Sequence, residues 1–207
     1  MSWFPEHTIE SAPPASRRFM AATKNHLGYL PAATARWAAS PQLLEGFGKL
    51  NAIFESGTLD PVAREVVVMT IATRNGCDVC VAMHTSRLTA LGVRPDVISA
   101  LRSALPLDDE RLDAIRVFTL RVLDTAGDVG DDTLRAFLSS GYTRQNALEV
   151  VLGIGTYTMS TLANRLTGAP VDDAVAPYTT RVPLERVDGG AGGAADNRAP
   201  WMKEPPG

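Results

Sequence analysis

The chain is punctuated at short intervals by signals that start and stop helices, and this punctuation constrains its fold more than any other feature. Proline directly follows a residue able to cap a helix at Ser40-Pro41 and at Asp60-Pro61, and proline is favoured at the first helical position. Gly92 stands where glycine commonly ends a helix. Between such signals apolar residues recur at intervals of three and four, and no stretch of useful length alternates as a strand would. The sequence therefore predicts an all-α protein, a compact multi-helix bundle.

These signals divide the chain into a series of helices. The run from 61 to 74 is apolar almost all round, which is typical of a helix buried inside a bundle. In the last helix, small residues such as Gly153 and Gly155 leave room for another helix, either within the same core or in a second subunit. The predicted helices span residues 15–27, 32–39, 41–56, 61–74, 77–91, 95–105, 108–125, 131–140 and 143–166, and the last is expected to bury Ala147, Val150, Val151, Ile154, Leu162 and Leu166.

The length of 207 residues suits one domain with a substantial core and short tails. Residues 1–14 contain three prolines and little periodicity, so we expect an irregular N-terminal arm. Residues 183–207 consist mainly of glycine, alanine, proline and charged residues, which predicts a flexible, Gly/Pro-rich C-terminal tail. The helical domain is therefore expected to span residues 15–182.

Composition excludes several classes of function. A formal net charge of -3 offers nucleic acid no basic surface. No apolar run approaches the roughly 20 residues of a membrane helix, and the first residues lack the regions of a secretory signal. We therefore expect a cytoplasmic protein that binds neither nucleic acid nor a membrane. Its two cysteines are too few for a disulfide scaffold, and in a reducing compartment a Cys-x-x-Cys pair more often serves redox or metal chemistry.

The two cysteines and a histidine form the centre of the candidate site. Cys77, Cys80 and His84 are spaced by three and four residues, so on one helix their side chains share a face. Cys77 falls in the first turn, where the helix dipole favours a thiolate. Cys80 and His84 should be neighbours, and the imidazole can then take the proton of the thiol. Cys77 would resolve the oxidised Cys80 as a disulfide.

Glu65 is the carboxylate that helix geometry brings to this site. Counted from the turn at Asn75-Gly76, Glu65 lies ten to eleven residues back and His84 lies eight to nine residues forward. In a helical hairpin the two positions then differ in height by roughly 3 Å, which is within side-chain reach. Glu65, His84 and Cys80 can form an orienter, a base and a nucleophile, the arrangement that activates cysteine on other folds.

The same residues allow other interpretations. The cysteine pair with Glu65 and His84 would supply four ligands to a zinc ion, although that combination of ligands is unusual. The thiols could instead reduce or isomerise disulfides, or switch the assembly of a redox sensor or scaffold without turnover. No cofactor is predicted.

The spacing Glu-x11-Cys-x2-Cys-x3-His, at Glu65, Cys77, Cys80 and His84, resembles the signature of the alkylhydroperoxidase D-like (AhpD-like) branch of the carboxymuconolactone decarboxylase superfamily. The likeness extends over about residues 41–171. It implies an all-helical subunit in a homo-oligomer, often a trimer or hexamer. It also implies thiol-dependent peroxidase activity towards hydroperoxides.

Residue by residue, the resemblance implies that Cys80 attacks the peroxide and becomes a sulfenic acid, and that Cys77 resolves it. Glu65 and His84 match the proton relay of the family. The sequence departs from the founding peroxidase at Val79, which stands in place of a second histidine. A dihydrolipoyl protein recycles the disulfide of that relative, so the resemblance implies a dithiol or protein reductant as a partner here. The decarboxylase branch lacks the cysteine pair, which argues against lactone decarboxylation.

Overall fold

The computed structural model of the protein describes residues 3–179. Helices account for the secondary structure of this part of the chain, which contains no strand, and the predicted all-α bundle is confirmed. The tail predicted for residues 183–207 lies outside the described residues. The helices are α1 (Pro14–Leu27), α2 (Ala32–Trp37), α3 (Pro41–Glu55), α4 (Pro61–Arg74), α5 (Asp78–Ala90), α6 (Pro95–Arg102), α7 (Glu110–Asp124), α8 (Gly130–Ser139) and α9 (Arg144–Thr167), followed by a short 3₁₀ helix (Asp173–Tyr178).

The capping signals read from the sequence act as expected. The Ser40 side chain accepts a hydrogen bond from the Leu43 amide at 3.3 Å, and Asp60 accepts one from the Ala63 amide at 2.8 Å. The largest boundary error is at α6, which ends three residues before the predicted 105. There the chain turns at Ala104, whose φ of 56° lies in the left-handed region. No glycine marks this stop, so no local signal predicted it.

Helix α4 runs through the centre of the bundle and packs against α5, α7 and α9. Its side chains are buried on every face, as the apolar run predicted, and they form the main core with residues of the neighbouring helices. The chain reverses between α4 and α5 at Gly76, whose φ is 61°. This reversal lays α5 along α4, and the two helices carry the residues of the candidate site. Within residues 3–179 no helix is both long and apolar enough to cross a membrane.

The prediction for α9 was wrong in part. Val150 is fully buried, but Val151, Leu162 and Leu166 are 50%, 56% and 74% exposed. A long helix with apolar residues on two sides gives the same sequence pattern whether the second side meets the core or the surface. Of the small residues, Gly153 allows the core residue Phe54 to pack closely against α9, because a Cβ at position 153 would lie 2.7 Å from the Phe54 ring.

A buried carboxylate that the sequence did not reveal fixes the entry to α4. Glu149, on α9, accepts hydrogen bonds from the backbone amides of Thr58 and Leu59 at 2.8 and 3.0 Å. Burial opposes its charge, but these donors and Asn146 outweigh burial and lower its pKa. The segment between α3 and α4 is therefore tied to α9, and α4 is held at a fixed height in the bundle.

Candidate active site

The two cysteines lie together at the start of α5. Cys77 caps the helix and Cys80 lies in its first turn. Both are free thiols, and their sulfurs are 3.0 Å apart and share a hydrogen bond. They are only 2% and 4% exposed. The pair needs about 1 Å of movement to reach the S–S bond length of roughly 2.05 Å.

Helix α9 covers the thiols with two polar side chains. The Asn164 amide nitrogen Nδ2 lies 3.2 Å from Cys80 Sγ and 3.6 Å from Cys77 Sγ. Ser160 Oγ lies 3.8 Å from Cys80 Sγ. Both side chains are buried, and Asn164 Oδ1 has no hydrogen-bond partner among the described residues. The sulfurs are therefore buried under α9, and the amide of Asn164 can donate to either of them.

The surroundings shift the pKa values of the two thiols in opposite directions. The hydrogen bond with Cys80 lowers the pKa of Cys77 to about 7, with help from Asn164 and against the effect of burial. The same hydrogen bond, together with burial, raises the pKa of Cys80 above its ordinary range. Two negative sulfurs cannot be tolerated at this distance in a low-dielectric site, so the pair ionises once near neutral pH. The resting charge lies on Cys77 and the shared proton on Cys80.

Replacing Cys80 by alanine is expected to raise the pKa of Cys77 from about 7 towards the ordinary cysteine value of about 8.5. The substitution removes the hydrogen bond that stabilises the thiolate most. Thiolate absorbance at 240 nm, titrated between pH 5 and 10, measures this shift. Ser160→Ala is the matched control, since Ser160 approaches only the other sulfur. A titration of Cys80→Ala that superimposes on the wild-type curve would show that Cys77 owes its acidity to another group.

Glu65 and His84 form a second buried pair, between α4 and α5. His84 Nδ1 lies 2.6 Å from Glu65 Oε2, and both side chains are less than 10% exposed. Arg87 reaches Glu65 Oε1 at 3.4 Å and Glu55 at 3.1 Å. Burial acts to raise the pKa of Glu65, but His84 and Arg87 outweigh it and the pKa is lowered. Tyr157 packs edge-on against the imidazole, with ring centroids 5.2 Å apart, and so restricts its rotation.

The structure joins the predicted site residues as two pairs. The contact between Glu65 and His84, inferred from the geometry of a helical hairpin, is present. A direct hydrogen bond between Cys80 and His84 is absent from the described residues, because the Cys80 thiol faces Cys77, Ser160 and Asn164 instead. Within residues 3–179 no three His, Cys, Asp or Glu side chains are placed to hold a metal ion. The geometry therefore gives no support to the zinc alternative.

Sequence reasoning missed several residues around the two pairs. Ser160 and Asn164 are four residues apart in the predicted α9, so they share a helix face. Two polar residues on the inner face of a buried helix were a signal that could have been used. Arg87 lies three residues after His84 and could have been recognised in the same way. Tyr157 carried no comparable signal, since an aromatic residue in a core helix is ordinary.

Fold and site together define an all-helical protein with a buried, reduced dithiol beside a carboxylate–imidazole pair. Residues 32–120, which include all four predicted site residues, match the model of the carboxymuconolactone decarboxylase family. This match covers 89 of the 207 residues, and the fold of the chain is similar to that of AhpD-like structures. No curated protein matches the chain by sequence.

Several solved structures have a similar fold. An alkylhydroperoxidase AhpD core, an uncharacterized peroxidase-related protein of Ralstonia eutropha JMP134, superimposes with a TM-score of 0.75 at 20% identity, over 88% of this chain and 98% of that one. An uncharacterized peroxidase-related protein of Silicibacter sp. TM1040 gives 0.71 at 16% identity, over 86% and 94%. The debrominase Bmp8, in complex with 2,3,4-tribromopyrrole, gives 0.67 at 15% identity, over 86% and 96%. At these identities the likeness concerns the fold alone.

Proposed function

We propose that the protein is a thiol-dependent peroxidase that reduces organic hydroperoxides and so protects against oxidants. The observation that carries this proposal is the pair of free sulfurs 3.0 Å apart, one of which has its pKa lowered to about 7. A thiolate is the nucleophile in peroxide reduction, and a second thiol in contact can complete the two-electron chemistry. The fold shared with two peroxidase-related proteins agrees with this proposal.

The first step oxidises one sulfur. As Cys80 attacks the outer oxygen of ROOH, its proton passes to the Cys77 thiolate along their hydrogen bond. A bond forms between Cys80 Sγ and that oxygen, the O–O bond breaks, and the alkoxide RO⁻ leaves and takes a proton to become ROH. The products are a Cys80 sulfenic acid and a neutral Cys77 thiol. In this scheme the low pKa of Cys77 makes it the base, while Cys80 remains the nucleophile.

The second step closes the disulfide. Cys77 Sγ attacks Cys80 Sγ, the S–O bond of the sulfenic acid breaks, and water leaves with the proton of Cys77. One peroxide has then been reduced and two thiols oxidised, and a dithiol reductant must return two electrons and two protons. Glu65 and His84 serve as the proton relay, which supplies the proton for the departing alkoxide. His84 lies outside hydrogen-bond reach of Cys80 in the resting state. The relay therefore donates its proton directly to the alkoxide oxygen of the reacting peroxide, not by way of Cys80.

The test combines a thiol count with a turnover assay. Reduced protein is mixed with a small excess of cumene hydroperoxide, with and without dithiothreitol, and free thiols and remaining peroxide are measured. The proposal expects loss of two thiols per chain without the dithiol and continued consumption with it. Stoichiometric oxidation that does not turn over would indicate a redox sensor instead. Thiols that stay reduced would overturn the proposal.

A brominated pyrrole is a second substrate to test, because Bmp8 shares this fold. Reductive debromination would have the same demand for two thiols: RBr and two thiols give RH, HBr and a disulfide. Bromide release from 2,3,4-tribromopyrrole in the same assay, without consumption of cumene hydroperoxide, would assign the dithiol to dehalogenation.

We propose a homo-oligomer assembled through the outer face of α9. This face carries Leu148, Val151, Leu162 and Leu166, all at least half exposed, and contiguous exposed apolar surface commonly marks an interface. Light scattering on purified protein is expected to give a mass of at least two chains. Leu162→Glu with Leu166→Glu should reduce that mass to one chain, whereas a monomeric wild-type protein would refute the assembly.

A further inference from the structure

A pocket of about 430 Å³ lies beside Glu65, where the end of α3, the start of α4, the end of α5 and the middle of α9 meet. Most of its wall is apolar and includes Phe54, Val68, Leu91 and Tyr157. Leu91, at the end of α5, is 45% exposed. Neither cysteine lines the pocket, so it is separate from the buried surroundings of the thiols.

The charged groups of the pocket are unequally paired. Arg87 is engaged by Glu55 at 3.1 Å and by Glu65 at 3.4 Å. Arg64 also lines the pocket, and its guanidinium donates to the carbonyl oxygen of Leu59 at 2.9 Å. No carboxylate of the described residues lies within ion-pair distance of Arg64. It is half-buried, so part of its charge is shielded from water and most of its donors remain available.

We propose that this pocket binds an amphipathic organic acid, with the carboxylate on Arg64 and the hydrocarbon part against the apolar wall. The planar fork of a guanidinium matches a carboxylate in two parallel hydrogen bonds. The volume is nearly three times that of a cavity of roughly 150 Å³ that holds benzene, so it has room for an acyl chain or a substituted ring. An apolar cleft with a few convergent polar groups is the usual form of a small-molecule site.

The charge of the neighbours favours a monoanion. Glu55 and Glu65 both line the pocket, and both would repel a second negative charge on the ligand. One guanidinium is already occupied by these two carboxylates, which leaves one for the ligand. A phosphate dianion would therefore be held less well than a carboxylate.

The bound acid would cover the outer side of Glu65. Since Glu65 is the outer member of the pair with His84, the ligand would lie next to the proposed relay without touching the sulfurs. The binding proposal does not depend on the thiol chemistry, and it stands or falls on a direct binding measurement.

The experiment is isothermal titration of the reduced full-length protein with octanoate, and with octan-1-ol as the uncharged analogue of the same chain length. Arg64→Gln is expected to weaken octanoate binding by roughly tenfold to a hundredfold, the value of a charge-assisted hydrogen bond. Binding of octan-1-ol should be weaker and unchanged by the substitution. Arg74→Gln is the control, because Arg74 lies on the same helix but outside the pocket.

Three results would overturn the proposal. The first is an absence of saturable octanoate binding to the wild-type protein, and the second is equal affinity for octanoate and octan-1-ol. The third is an unchanged octanoate affinity in an Arg64→Gln variant whose circular dichroism shows the native helix content. If that variant does not fold, photolabelling of the wild-type protein with a diazirine-bearing octanoate decides the matter. Labels on peptides 54–68 and 87–91 or on Tyr157 support the pocket, and labels elsewhere refute it.

Discussion

Serine in place of Cys80 is expected to abolish peroxide turnover, with a loss of about a thousandfold or more, as when an enzyme loses its nucleophile. The serine hydroxyl does not ionise near neutral pH, so the attacking sulfur is lost without replacement. Serine can still donate a hydrogen bond to Cys77, and the change in volume is small. The helical fold should therefore persist. Steady-state consumption of cumene hydroperoxide with dithiothreitol, beside a thermal melt followed by circular dichroism, measures both properties.

Cys77→Ser is the matched variant, because it removes the partner sulfur and keeps Cys80. It should react once with peroxide, more slowly than the wild type because the thiolate base is lost as well, and then stop, since no thiol is left to close the disulfide. The sulfenic acid should be trapped by dimedone at position 80, which mass spectrometry of the peptide reveals. A label at position 77 of Cys80→Ser, together with an unreactive Cys77→Ser, would reverse the order of attack. The lowered pKa of Cys77 makes this control necessary.

The hairpin of α4 and α5 could be predicted almost completely from the sequence. Its stop and start signals are local, and the rise per residue of a helix is fixed, so the heights of Glu65 and His84 followed by counting. The observed separation of 2.6 Å between Nδ1 and Oε2 confirms that argument. Local signals and regular geometry were sufficient because both residues belong to adjacent elements joined by a short turn.

The surroundings of the thiols could not be predicted in this way. Asn164 is separated by 84 residues from Cys80, and its contact depends on how α9 packs across α5. That packing also determines which apolar face of α9 is exposed. Because it could not be predicted, Leu162 and Leu166 were wrongly expected to be buried. Helical periodicity identifies faces, but it does not say which neighbour each face will meet. The predicted contact between Cys80 and His84 was wrong for a related reason, since a shared helix face does not determine the rotamers of the side chains on it.

Glu65→Gln is expected to lower both turnover and stability. Glutamine keeps the shape of the side chain but removes the charge that His84 and Arg87 stabilise. Loss of one partner from a buried pair costs roughly 2 kcal/mol or more in the free energy of unfolding. Loss of a proton relay typically reduces rates by about 10²- to 10⁴-fold. Urea unfolding at pH 7 and peroxide consumption measure the two effects.

The stability effect should depend on pH in a definite direction. In the folded protein the pKa of Glu65 lies below its ordinary value of 4.5, so its ionised form stabilises the fold above that pH. This contribution is lost as the pH falls through the folded-state pKa. The gap in unfolding free energy between the wild type and Glu65→Gln should therefore be largest near neutral pH and shrink as the pH falls below 4.5.

Glu55→Gln is the control, because Glu55 pairs with the same Arg87 but is 42% exposed. Surface pairs of this kind contribute about 1 kcal/mol or less. Equal losses in the two variants, or a gap that does not change with pH, would mean that the buried charge of Glu65 does not stabilise the fold.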